Sequence, residues 1–173
     1  MPKVYNTFKQ CSDQLDGIQS IDYFLARQLS EVLPGDQETA EQNDLLFHSI
    51  MATSQALRSG HSCLKLDAEA SNDNETLYWH NLNEENPDEN KAGYTFTRLA
   101  DWHQYLSQLA ITPDDKQPLV YEQGRLYLRR YWQFEDELAS IIRNLINHQS
   151  DQQLYHGNSS ARQIIEQLFP PLL

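Results

Sequence analysis

Glycine is scarce in this 173-residue chain, with six residues at positions 17, 35, 60, 93, 124 and 157. Neither G-x-x-x-x-G-K-[ST] nor G-x-G-x-x-G can be written among them, so the chain has no backbone cradle for phosphates. Cysteine is scarcer still: Cys11 and Cys63, without motif spacing. Buried or idle thiols in a reducing compartment fit this better than a disulfide framework. No apolar run is long enough to span a bilayer. The first stretch, MPKVYNTFKQCSDQLDG, lacks the apolar centre of a signal peptide. A cytoplasmic protein without membrane association is expected. Positive charge is also short, with 13 Lys and Arg against 25 Asp and Glu, a net charge of −12. Such a chain repels phosphate, which disfavours direct duplex binding. It suits a basic protein partner, or simply a solvated acidic surface.

Recognisable catalytic and metal-binding patterns are missing as well. The six histidines, at 48, 61, 80, 103, 148 and 156, form no H-E-x-x-H. His61 and Cys63 are two apart, but no second His or Cys pair is near them in sequence to complete the four ligands of a zinc site. The run Asp88, Asn90, Gly93 echoes a calcium loop, yet Ala92 and Leu99 stand where oxygen ligands belong. Ser, His and Asp are present without a nucleophile elbow. Glu84 and Glu85 lie in a polar stretch where burial cannot tune them. Arg129 and Arg130 sit among aromatics in LYLRRYW, the flavour of a nucleic-acid site. In so acidic a chain, a structural arginine bonding nearby strand or helix ends is the plainer account. No catalytic, cofactor-binding or metal-binding residue is assigned from the sequence.

What is present is enough apolar material, 39% of residues, to close one core. Residues 1–17 read as a frayed leader, and 18–173 as a single domain. In SIDYFLARQLSEVLP, Ile21, Phe24, Leu25, Leu29, Val32 and Leu33 recur at helical steps, with Ser20 as N-cap and Pro34-Gly35 as the stop. TAEQNDLLFHSIMATSQALRSG gives a second helix, with a capping box of Thr39 and Gln42 and a buried side of Leu46, Ile50, Met51 and Leu57. Gly60 closes it. HSCLKLD reads as a short strand.

Residues 67–93 change character, with eight acidic residues against one lysine. They read as a surface excursion, pinned by Leu77, Tyr78 and Trp79. FTRLADWHQYLSQLAI gives a third helix, with Thr97 as cap and Leu99, Trp102, Leu106 and Leu109 inward.

PLVYEQGRLYLRRYWQFEDELASII, residues 118–142, reads as strand, turn, strand and helix. A two-residue turn at Gln123-Gly124 pairs Glu122 with Arg125, Tyr121 with Leu126, Val120 with Tyr127, and Leu119 with Leu128. One face, Leu119, Tyr121, Leu126 and Leu128, should be buried; the other carries Val120 and Tyr127. The following helix, bearing Tyr131, Phe134, Leu138, Ile141, Ile142, Leu145 and Ile146, is expected to cover the hairpin. A polar connection at 147–158 leads to a last helix in SSARQIIEQLFPPLL, with Ile164, Ile165, Leu168 and Phe169 inward. The sum is an α+β fold, mostly α, with about five helices, one β-hairpin and a third short strand.

The order of GHSCLKL, then PLVYEQGRLYLRRYWQFEDELA with GRLYLRRYW followed by Glu135, then IIEQLFP, resembles the N-terminal region of the alpha subunit of exodeoxyribonuclease V. That subunit is the RecD helicase of the RecBCD complex. The resemblance runs over about 20–170 and leaves the acidic 67–93 segment unplaced. It implies a parent protein that moves 5′ to 3′ on DNA, hydrolyses ATP with Mg2+, and works with beta (RecB-like) and gamma (RecC-like) subunits at double-strand breaks. The phosphate loop of such a motor would lie beyond Leu173, so the expectation is a docking domain for the gamma subunit with no activity and no cofactor of its own. DNA would meet only the absent motor. A free-standing acidic adaptor is the alternative.

Overall fold

The computed structural model describes residues 5–33, 39–66, 76–79 and 91–153. In order these form α1 (Phe8–Gln14), α2 (Ser20–Val32), α3 (Ala40–Arg58), β1 (Leu64–Lys65), β2 (Thr76–Tyr78), β3 (Thr95–Arg98), α4 (Leu99–Gln108), β4 (Leu119–Glu122), β5 (Arg125–Leu128) and α5 (Arg129–Gln153). The fold is α+β and mostly α, as the sequence suggests. The chain divides into two compact units, Met1–Gln133 and Phe134–Leu173.

In the first unit α3 is the central element. Every residue from Leu45 to Gln55 is buried, polar ones included. A helix enclosed on all sides must satisfy its own polar side chains. Ser49 and Thr53 do so by donating to the carbonyls of Leu45 and Ser49, at 2.6 and 2.8 Å. The expected capping box holds: Thr39 Oγ1 accepts from the Gln42 amide, and Gln42 Oε1 accepts from the Thr39 amide. Gly60 takes φ +91°, so the chain can leave the helix there.

The reading of 1–17 as a frayed leader fails for its described part. Thr7 caps α1, and Cys11 and Leu15 are fully buried. The seven-residue helix is too short to stand alone and is held by this packing. Leu25 and Leu29 of α2 and its C-cap Leu33 pack on the core as expected, but the helix is rotated from the rest of its expected facing. Asp22, Tyr23 and Ala26 are its buried residues, while Ile21, Phe24 and Val32 are more than half exposed. Its N-cap is Gln19 rather than Ser20.

A buried charge causes the rotation. Asp22 is fully buried and accepts four hydrogen bonds: Ser54 Oγ at 2.7 Å, Arg58 Nε at 3.1 Å, Arg58 Nη2 at 2.6 Å and the Gln19 amide at 2.8 Å. A carboxylate out of water needs such a set. These bonds fix α2 on α3.

The hairpin has the expected register throughout, Leu119 with Leu128 to Glu122 with Arg125. Gln123 and Gly124 both take positive φ, 49° and 73°, the mirror-image turn that suits a twisted ribbon. β1 pairs antiparallel with β5, giving the sheet order β1-β5-β4. Both faces are covered, whereas one was expected to be. Leu119 and Leu126 join the main core, and Val120 and Tyr127 form a second cluster with Cys63 and Trp132.

A second sheet, β2 with β3, escaped the sequence reading because its strands border the acidic segment. Thr97 belongs to β3, and the N-cap of α4 is Arg98. Trp79 is fully buried, as its role as a pin requires, and its Nε1 donates to Asp16 O at 2.9 Å. The side chains of Leu77 and Tyr78, most of 67–93, and the helix expected at 160–169 lie outside the described residues.

Within the first unit Trp132 packs against the second cluster of the hairpin, its Nε1 donating to Glu122 Oε2 at 2.8 Å. One residue is about 100° around a helix, so Trp132 lies off the arc through Tyr131 and Phe134. In the second unit, Leu138, Ile141, Ile142 and Leu145 are 46–60% exposed. The polar run after Ile146 continues the helix to Gln153, since no Gly or Pro interrupts it.

Replacing Asp22 with Ala should destabilise the first unit by about 3 kcal/mol, the low end for a broken buried pair because Arg58 is partly exposed. Urea unfolding measures it. A loss under about 1 kcal/mol would show that the pair does not anchor α2.

Candidate protein-docking surface

Polar and reactive side chains in the first unit are mostly committed to structure. His48 is fully buried. Its Nδ1–H donates to Asp44 O at 2.7 Å and its Nε2 accepts from the Tyr5 hydroxyl at 3.2 Å. Its ring stacks on Tyr94 with centroids 3.5 Å apart. Burial lowers its pKa to about 4, so it is neutral at pH 7. The set superficially suggests an acid-base relay. However, a backbone carbonyl, not the Asp44 carboxylate, orients the ring, which is fully buried.

Cys11 is fully buried beside Met51 Sδ, at 3.6 Å, and burial pushes its thiol up to about 12. A thiol held protonated is a poor nucleophile. Cys63 is buried and His61 exposed, so the structure does not bring that pair into one site. Among the described residues no group of three His, Cys, Asp or Glu is placed to hold a metal. No described helix is long and apolar enough to cross a membrane.

Arg129, singled out in LYLRRYW, is structural. Its guanidinium donates to the carbonyls of Pro113 (3.1 Å), Thr112 (3.0 Å), Gln117 and Asp115. One planar cation thus gathers the whole turn between α4 and β4. Asp115 closes the same turn by accepting from the Thr112 amide and hydroxyl, at 2.8 and 2.6 Å, and these bonds lower its pKa. The residue was legible in the motif, but its carbonyl partners appear only in the fold.

Exposed apolar side chains are the remaining functional signal. Ile21 and Val32 of α2 lie about 20° apart around the helix axis, and Phe24 lies about 60° to their other side. They are 56–58% exposed. Tyr23, whose ring meets Phe24 edge-on, lines a cavity of about 220 Å³ together with Tyr5, Arg27, Ser30, Asn43 and Phe47 among others. Ser30 Oγ is sealed from solvent and has no hydrogen-bond partner among the described residues. The cavity is below the usual size of a small-molecule site and nearer that of one inserted side chain. Periodicity marked the α2 residues as apolar but could not show that they point outward.

A family model described as "RecBCD enzyme subunit RecD, N-terminal domain" matches residues 14–127. The match includes α2, the cavity lining apart from Tyr5 and Asn6, and the hairpin up to Tyr127. No curated protein and no solved structure gives a significant match.

His48 titrates at about 6.5 when unfolded and about 4 when folded, so acid favours the unfolded chain. The His48 contribution is complete above pH 6.5 and falls as pH drops toward 4, by about 2 kcal/mol between pH 7 and 5. Asp44, whose carboxyl is raised by burial, works in the opposite sense. Urea unfolding of the wild type and His48→Gln at both pH values isolates the histidine term. Equal slopes would remove it. Arg129→Lys, which keeps the charge but loses the fork, should cost about 2 kcal/mol in the same assay. A loss below about 0.5 kcal/mol would show that the turn does not depend on it.

Proposed function

Because the chain belongs to the family of N-terminal domains of the RecBCD enzyme subunit RecD, we propose that it seats a RecD-type subunit in a RecBCD-type enzyme. The match over 14–127 carries this reading. The exposed side chains of α2 support it, since they lie inside the matched span and have the composition of an interface centre. The partner is the gamma (RecC-like) subunit, in a complex that also holds the beta subunit. The parent protein is an ATP- and Mg2+-dependent 5′ to 3′ helicase acting in double-strand-break repair and recombination. This domain contributes shape and position rather than chemistry, and it binds neither nucleotide nor metal. Its net charge of −12 opposes contact with DNA phosphates, so DNA is left to the motor.

Co-purification with a RecC-type gamma subunit tests the reading. The wild-type chain should be retained, and the double variant Phe24→Ser, Val32→Ser should bind at least about ten-fold more weakly. Both residues are exposed, so its melting temperature should stay close to wild type. Failure of the wild-type chain to bind would overturn the proposed role. Unchanged binding by the variant would move the docking site off α2.

A further inference from the structure

A second cavity, of about 530 Å³, shares no residue with the α2 surface. Its walls come from the first turns of α3 (Thr39, Glu41, Gln42, Asp44, Leu45), from Tyr94 and β3 (Thr95, Phe96, Thr97), and from Asp101 and Tyr105 of α4. Four successive residues, 94–97, line it. Side chains alternate faces along a strand, so the cavity runs along the strand edge. β2 pairs with β3, and no other strand does so among the described residues.

Three carboxylates line the cavity and no Lys or Arg does. Asp101 is held by Arg98 at 2.8 and 3.2 Å. Glu41 is exposed. Asp44 is the unusual one. Its Oδ1 is sealed from solvent and accepts no hydrogen bond from the described residues. A carboxylate oxygen in that position costs stability until a cation or donor approaches the group. The same charge reaches Tyr94: burial first, then Asp44, raises its hydroxyl to about 12.

A helix N-terminus ordinarily favours an anion. Here the capping box of Thr39 and Gln42 occupies the end of α3, and Glu41 and Asp44 supply negative charge in its first turns. The sign of the site is therefore inverted.

We propose that this cavity receives a basic side chain, arginine best, carried by an extended protein segment lying along β3. Charge complementarity selects that occupant, and the strand edge gives its backbone a place to run. The site goes beyond the assembly role and does not depend on which subunit supplies the segment.

The test uses the 15N-labelled chain titrated with N-acetyl-argininamide and, in parallel, with its neutral isostere N-acetyl-citrullinamide. The arginine compound should shift the amides of Asp44, Tyr94, Thr95 and Asp101 saturably, at least about ten-fold more tightly than the citrulline compound. Asp44→Asn and Glu41→Gln should each weaken it several-fold, and the exposed Glu41 keeps the test open if Asp44→Asn misfolds. Equal response to both compounds, shifts confined to other residues, or equally tight binding of free spermidine would overturn the proposal. Retention of the gamma-type subunit is read separately, so either idea can fail without the other.

Discussion

Enclosing α3 on every side is the constraint from which the rest of the first unit follows. Eleven consecutive residues out of contact with water cannot all be apolar on a helix of this composition, and five of them are polar: His48, Ser49, Thr53, Ser54 and Gln55, which with Asp22 of α2 make up the buried polar set. Each such group must bond inside the protein or weaken it. The solutions draw in other elements. Ser54 and Arg58 recruit Asp22 and so place α2. Ser49 Oγ accepts from Trp102 Nε1 at 2.9 Å and so places α4. His48 recruits Tyr5 and, with Tyr23 donating to Tyr5 O at 3.3 Å, the chain before α1.

Aromatic rings fill the space between these anchors. Trp79, Phe96 and Trp102 stack in series, with centroids 6.2 and 4.2 Å apart, and tie the β2-β3 sheet to α4. Large flat side chains contribute much buried area at little rotameric cost. At the other end of the fold, Arg129 gathers the carbonyls of the turn before β4. His103 does a similar task, bonding Leu66 O at 3.1 Å and the Tyr121 hydroxyl, so that the strand β1 region, α4 and the hairpin are joined. His48, His103, Cys11 and the motif Arg129, which might have signalled catalysis, are thus explained by architecture.

A domain with its polar interior so committed has its surface left for function. The family match supplies the setting, a RecD-type subunit of a RecBCD-type enzyme. Two surfaces differ in chemistry within it: an apolar arc on α2 beside a small cavity, and an acidic, aromatic groove along β3. The first suits desolvation, which contributes affinity; the second suits charge, which contributes orientation and selectivity.

Local rules were enough for much of this. Two-residue periodicity and one Gln-Gly turn determined the hairpin register residue by residue, because each pairing follows arithmetically from the turn. Capping chemistry determined where α3 starts, and the scarcity of glycine excluded a phosphate loop from this chain. The facing of α2, the burial of both hairpin faces, the helix hidden in 8–14 and the second sheet were decided only in three dimensions. Periodicity reports which residues are apolar. It cannot weigh that against a single carboxylate needing Ser54 and Arg58, more than thirty residues away in sequence. Such long-range bonds leave no local trace, and they settled which side of each element met water.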